Sequence, residues 1–147
     1  MRAVVTRVLS ASVTIAGREQ GAIEQGLLVL LGVGPNDTEE TAKRMADKVC
    51  ALRIFSDEAG KMNLNLASAN GSLLVVSQFT LYANTKSRRP GFTGAASPEL
   101  ANALYEVFLL SCTSLGHPPK HGEFGADMQV ASVNDGPVTI LFDSDEW

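Results

Sequence analysis

At 147 residues the chain is the size of one domain with a real core, and residues 1–147 are read as a single domain. Hydrophobic residues make up 45% and charged residues 19%, the balance of a soluble globular protein. The formal net charge of -4 excludes a nucleic-acid footprint over the whole surface, so any RNA contact has to be local.

Arg2 to Ile15 alternates apolar and polar residues and is rich in β-branched ones, which predicts a strand, bulged near Ser10. Ala16-Gly17-Arg18 turns the chain. Gly26 to Val33 is a continuous apolar run and predicts a buried strand, broken by Gly34-Pro35-Asn36-Asp37. A helix follows, with Asp37 as its cap and Glu40 three residues on; Ala42, Met45, Ala46 and Val49 form its apolar stripe. Leu52 to Phe55 and Met62 to Leu66 predict strands around a turn at Asp57-Glu58-Ala59-Gly60. Leu73 to Leu81 predicts a strong strand, and Asn84 to Ser97 a Gly/Pro/Ser-rich loop carrying Lys86, Arg88 and Arg89. Ser97 caps a second helix, with Pro98 in its first turn, Leu100, Leu104, Val107 and Phe108 as its buried stripe and Gly116 at its end. Phe124 to Val130 alternates as a strand. Asp135-Gly136 signals a hairpin, and Val138 to Phe142 closes the sheet. The order of elements predicts an α+β fold with a mostly antiparallel sheet and two main helices.

Cys50 and Cys112 fall in the two helices without CxxC spacing or a nearby histidine, as reduced buried thiols of a cytosolic protein would. No signal peptide is read at the start, and the apolar run from Leu27 to Val33 is too short to cross a bilayer. A P-loop, a Rossmann glycine pattern and a metal cluster are all absent, so no cofactor and no metal are expected.

Two stretches carry residues that core packing does not ask for. In Asn134-Asp135-Gly136-Pro137-Val138-Thr139, glycine supplies backbone freedom, proline removes a donor, and X-Pro is the one common bond that can be cis. Such a pair is either a tight turn or a device that aims two carbonyl oxygens in a fixed direction. Ser77-Gln78-Phe79-Thr80-Leu81 is either a strand end or a site. Ser77 or Thr80 as nucleophile needs a base in reach. The only histidines, His117 and His121, lie in a loop after the second helix and are read as solvent-facing. The Phe79 and Thr80 backbone N–H groups can instead serve as an oxyanion hole. Lys86, Arg88 and Arg89 are a solvated loop or a local phosphate contact. Phe124 and Met128 read as core, and the acidic tail from Asp143 to Glu146 as solvated.

These motifs, taken in order, resemble the D-aminoacyl-tRNA deacylase family over essentially the whole chain. The carrying stretches are Met1 to Val5 with Arg7-Val8, Gly26 to Val33, Leu52-Arg53-Ile54-Phe55, Gly60-Lys61-Met62-Asn63, Val76 to Ala83, Arg88-Arg89-Pro90, Phe124 to Val130 and Asn134 to Thr139. The chain departs from the family pattern at Gly91, where the family carries serine before Phe92, and in the detail of Asn84 to Ser87. The resemblance implies a cytoplasmic homodimer of small barrel-like subunits that hydrolyses the ester between a D-amino acid and the terminal adenosine of tRNA. Its partners are then the aminoacyl-tRNA acceptor end and a second copy, with no membrane and no DNA. It implies that the Gly136-Pro137 bond is cis and reaches into the other subunit's pocket, lined by Ser77, Gln78, Phe79 and Thr80. It implies that Arg7 holds that segment in place and that Phe124 and Met128 lie near the adenosine.

In such a site two carbonyls aimed alike accept charge-assisted hydrogen bonds from the α-ammonium of a D-aminoacyl ester, while the fixed frame crowds out the L side chain. Glycine has no side chain to exclude, so glycyl esters pass this filter. Water attacks the ester with help from the ribose 2′-hydroxyl; the competing reading makes Thr80 a covalent nucleophile. Two further alternatives are a sister deacylase that removes mischarged L-alanine through a trans Gly-Pro, and a noncatalytic RNA-binding module. Arg7 with Ser77 to Thr80 favours the D-specific enzyme, and the acidic net charge disfavours the module.

Overall fold

The long β-branched opening segment becomes β1 (Arg2–Ile15), and the rest of the sheet is built on its two edges. In the computed structural model, which describes all 147 residues, one edge pairs antiparallel with β8 (Gln129–Asp143) along nearly its whole length. The other edge pairs antiparallel with β3 (Gly26–Gly32) through Val8, and with β2 (Arg18–Ile23) from Ala11 onward. β3 runs parallel to β6 (Ser72–Ser77), and β6 to the short β7 (Lys120–His121). The fold is therefore α+β with a barrel-like six-stranded sheet, in which β1 makes every antiparallel pairing and the two parallel pairings lie on the β6 side.

β3 is apolar throughout because both its faces are covered. Leu27, Val29 and Leu31 face a core shared with the helices, whereas Leu28 joins Val8, Ala11, Val13, Ile23, Leu74 and Val76 in a second core. Strict alternation would put the odd residues of β1 on one side. Ala3 and Val5 do face the helix-side core, yet Ala11 and Val13 share the second core with Val8. The irregularity expected near Ser10 accounts for this. The β1–β8 register slips between Val8 and Ser10, and one extra residue sends every later side chain to the opposite face.

Helix α1 (Glu39–Ala51) buries Ala42, Met45, Ala46 and Val49 as their spacing predicts. Its cap is not Asp37. Thr38 caps it, in a reciprocal pair with Thr41, because the Asp37 carboxylate is engaged elsewhere. It accepts from the Gly34 N–H at 2.6 Å and from the Met1 amine at 2.5 Å. Helix α2 (Pro98–Ser114) starts on the Ser97 cap and buries Leu104 and Phe108, together with Ala101, Tyr105, Leu109 and Cys112. Leu100 and Val107 lie at the margins of that stripe and are only partly buried. Gly116, at φ +89°, follows the helix end. Cys50 and Cys112 are buried and free.

Four sequence expectations change, three for want of a strand partner in the expected place and the last because its partner strand continues past the turn. The Leu52–Phe55 segment is mostly not strand: Leu52 ends α1, and only β4 (Phe55–Ser56) pairs with β5 (Met62–Leu64). β6 stops at Ser77 rather than Leu81. Beyond Leu31, whose carbonyl accepts from Gln78 N–H at 2.8 Å, β3 offers no further rungs, and Phe79–Tyr82 coils into a 3₁₀ turn. Phe124 to Met128 is loop, broken at Gly125 (φ +79°), and pairing with β1 begins only at Gln129. Asp135-Gly136 makes no hairpin, since both flanks pair with the same edge of β1 and β8 runs on in one direction. No helix is long and apolar enough to cross a membrane.

Candidate active site

The irregular part of β8 lies opposite Arg7. Thr6 pairs with Thr139 and Val8 with Asn134, so four residues, Asp135 to Val138, are looped out against the single residue Arg7. Arg7 is buried, an unusual place for a guanidinium unless its donors are used. Its Nη1 donates to the Ile54 carbonyl at 2.7 Å and its Nε to the Asp135 carbonyl at 3.3 Å, and Nε also meets the Asp135 carboxylate at 3.2 Å. Gly136 sits at φ +120°, where side chains are rarely tolerated. A Cβ there would meet Val138 Cγ2 at 2.8 Å and Arg7 Nη2 at 3.0 Å. The Gly136–Pro137 peptide is cis, and both residues are exposed.

Ser77, Gln78 and Phe79 line a separate cleft of about 580 Å³ with Phe92, Ala95, Ala96, Phe124 and Met128, a volume typical of small-ligand sites. Phe124, read as core from sequence, packs its ring 6.1 Å from Tyr105, whose hydroxyl donates to the Val75 carbonyl at 3.1 Å. Burial raises the Tyr105 phenol well above its ordinary range and keeps it a donor. Met128 closes against Gly122, where an added Cβ would displace its thioether. A second large hollow lies between α1 and α2 around Lys43, Leu110 and Leu115, and none of the residues singled out above lines it except Val107.

The 3₁₀ turn at the cleft gives the residues their chemistry. Phe79 and Thr80 open it, and the first N–H groups of a helical turn have no acceptor inside that turn. Gln78 at the cap position does not use them; its side-chain amide donates to Thr80 Oγ1 at 2.5 Å. The Thr80 hydroxyl has no imidazole or carboxylate partner. His121 Nδ1 is instead engaged with the Gly122 carbonyl at 2.6 Å. The turn is seated closely on β3: a Cβ at Gly32 would lie 2.9 Å from the Gln78 carbonyl oxygen and 3.1 Å from Leu81 Cβ. Arg2 fastens its far end, donating from Nη1 to the Leu81 carbonyl at 3.0 Å, with its guanidinium 4.5 Å from the Tyr82 ring centre. Burial, and then the nearby Asp37 carboxylate, push the Tyr82 phenol well up.

Sequence reasoning missed Phe92, Ala95, Ala96 and Arg2. The cleft-lining loop residues have no periodicity, and the role of Arg2 depends on a turn that the alternation through Leu81 concealed. The cleft lining includes neither Gly136, Pro137 nor Arg7, so one chain holds the two halves of the expected site apart. No group of three His, Cys, Asp or Glu is placed to hold a metal.

Asp143 anchors Arg2 from the other side, Nε to Oδ2 at 2.8 Å. Burial works to raise this carboxyl, but the Asp145 backbone N–H and Arg2 outweigh it and hold it below the usual carboxylate range. A depressed folded-state value means stability that is present above the unfolded value, about 3.9, and lost as pH falls through the folded one. Asp143→Asn should therefore lower Tm at pH 7, with the gap to wild type closing below about pH 4. Thermal melts of both proteins across that range check this; a gap that widens in acid would refute it.

The family model for D-Tyr-tRNA(Tyr) deacylase matches residues 4–143. A D-aminoacyl-tRNA deacylase of Lacticaseibacillus casei (strain BL23) is 56% identical, covering 99% of each chain. One of Cytophaga hutchinsonii (strain ATCC 33406) is 58% identical, over 98% of this chain and 97% of its own. Among solved structures, the c-Myc DNA Unwinding Element Binding Protein superposes with a TM-score of 0.93 at 42% identity, covering 98% of this chain and 99% of its own.

Proposed function

Since the chain belongs to the D-Tyr-tRNA(Tyr) deacylase family and is a hydrolase of that kind, we propose that its two separated half-sites are completed between the subunits of a homodimer. The observation that carries this is the exposure of Gly136-Pro137 outside the chain's own cleft. Exposed apolar side chains accompany it on the same two strands: Leu9 is 55% exposed, Val133 54% and Leu141 76%. In the dimer, the Gly136-Pro137 segment of one subunit enters the cleft of the other. Its carbonyls accept from the α-ammonium of a D-aminoacyl ester, and the rigid frame excludes the L side chain. Glycyl esters escape the exclusion and are hydrolysed as well. Phe124 and Met128 hold the terminal adenosine, whose tRNA places the enzyme in the cytoplasm.

For the reaction, water attacks the ester carbonyl with the ribose 2′-hydroxyl assisting, and the Phe79 and Thr80 N–H groups stabilise the oxyanion. The engagement of Thr80 Oγ1 with the Gln78 amide, without any base, supports this reading over a threonine nucleophile. Purified protein given D- and L-tyrosyl-tRNA should release only the D-amino acid; release of both, or of neither, refutes the proposal. Thr80→Ala should keep turnover within about tenfold of wild type, since its N–H remains, whereas losing an oxyanion donor costs about 10²–10³ in kcat. If that variant binds tRNA yet releases nothing, Thr80 is more than a backbone donor.

A further inference from the structure

The loop between the 3₁₀ turn and α2 is a built feature rather than a slack connection. Asn84 and Gly91 exchange two backbone hydrogen bonds, 2.8 and 3.0 Å long, making a small hairpin. Its base is tied down where Ala96 N–H donates to the Val33 carbonyl at 2.9 Å and where Gly94 packs against the Tyr82 carbonyl. Its tip presents Lys86, Arg88 and Arg89, all exposed. No carboxylate pairs with them, since the four ion pairs of the chain lie elsewhere. Three unpaired cations within four residues, on a protein of net charge -4, concentrate positive potential at one place. At the foot of the hairpin Phe92 meets Phe79 edge to face, with ring centres 5.2 Å apart. Both rings are part of the cleft lining and remain 38% and 56% exposed. Exposed aromatic faces beside unpaired cations are the two components with which proteins track a single nucleic-acid strand.

We propose that this hairpin is a track for the single-stranded RNA leading into the cleft. Lys86, Arg88 and Arg89 hold the phosphodiester backbone 5′ of the terminal adenosine, and the Phe79–Phe92 edge receives the next base. The proposal rests on the deacylase reading, and it adds where the substrate's approach is gripped. It also explains how an acidic protein takes a polyanion. The contact is confined to one loop, and Asp127 on the cleft lining helps keep the phosphates at the rim rather than inside.

The test compares wild type with the triple variant Lys86→Gln, Arg88→Gln, Arg89→Gln on two substrates, D-tyrosyl-tRNA and the adenosine ester of D-tyrosine, over a range of KCl concentrations. Each phosphate neutralised on a single strand contributes a salt slope of about 0.7, so the triple variant should lose a slope of about 2 and raise KM for the tRNA about tenfold or more. Its kcat and KM on the adenosine ester should match wild type. Arg88→Lys with Arg89→Lys, which keeps the charge, should keep the slope. An unchanged tRNA slope, or an equal loss on both substrates, overturns the track. Binding of an uncharged RNA hairpin with a single-stranded 3′ tail, titrated by fluorescence, reads the same slope without hydrolysis. A wild-type protein that opens neither ester would thus sink the deacylase reading while the track is still judged.

Discussion

Gly32→Ala is expected to abolish most deacylation while leaving the protein folded. Gly32 ends β3 directly beneath the 3₁₀ turn, and an added Cβ would press on the Gln78 carbonyl oxygen at 2.9 Å and Leu81 Cβ at 3.1 Å. Backbone does not yield as the tip of a flexible side chain does, so the turn has to lift. The Phe79 and Thr80 N–H groups lift with it. If they stabilise the oxyanion, misplacing them should cost about 10²–10³ in kcat with D-tyrosyl-tRNA. Overpacking by one methyl should lower stability by about 1–3 kcal/mol. Gly71→Ala is the control: its Cβ would meet the end of Leu66 at 2.9 Å, well away from the turn. Steady-state kinetics and thermal melts on both variants separate the effects. Comparable activity in the two variants would show that the seat of the turn does not govern catalysis.

Arg7→Ala should loosen the looped-out segment of β8 and with it the discrimination between mirror-image esters. The guanidinium is the one side chain that ties Asp135 to the Ile54 carbonyl beyond β1. Removing it leaves that carbonyl without its donor, at about 1–3 kcal/mol of stability. The functional loss should be larger, because carbonyls that no longer point one way cannot hold an ammonium while excluding a side chain. The kcat/KM for D-tyrosyl-tRNA is expected to fall about 100-fold or more, a loss consistent with about 3 kcal/mol of transition-state interaction. The ratio of D to L hydrolysis should fall too. Arg7→Lys has no fork to span both acceptors and should rescue only part. Hydrogen exchange at residues 135 to 139 gives an independent readout; unchanged protection there, with normal selectivity, would remove Arg7 from the account.

Sequence patterns revealed what depends on short-range periodicity. The stripe of α1, the Ser97-Pro98 start of α2 and the doubly buried β3 all follow from spacing alone, and the structure has them. β2 carries no sequence signal, because Arg18, Glu19 and Gln20 are exposed on it and no apolar alternation marks it. The cap of α1 lies one residue beyond Asp37, because the demand on Asp37 comes from Gly34 and Met1, contacts no local pattern encodes. The site residues were legible as a list and not as an arrangement. Ser77 to Phe79, Phe124 and Met128 do share one cleft. Their form as a turn and a loop depends on where neighbouring strands run out of partners. Arg7 opposite Gly136 depends on a register between residues more than a hundred positions apart.

That register has a consequence for how such a protein can change over time. The excursion from Asp135 to Val138 is clamped at both ends by ordinary rungs, Thr6 with Thr139 and Val8 with Asn134. Between those rungs the segment is tied to the barrel through Arg7, which holds Asp135, and through Val138, which packs against the helix-side core. Variation there is thus narrow: Gly136 leaves no space for a Cβ, and change is left to the exposed Pro137 side of the tip while the scaffold stays constant.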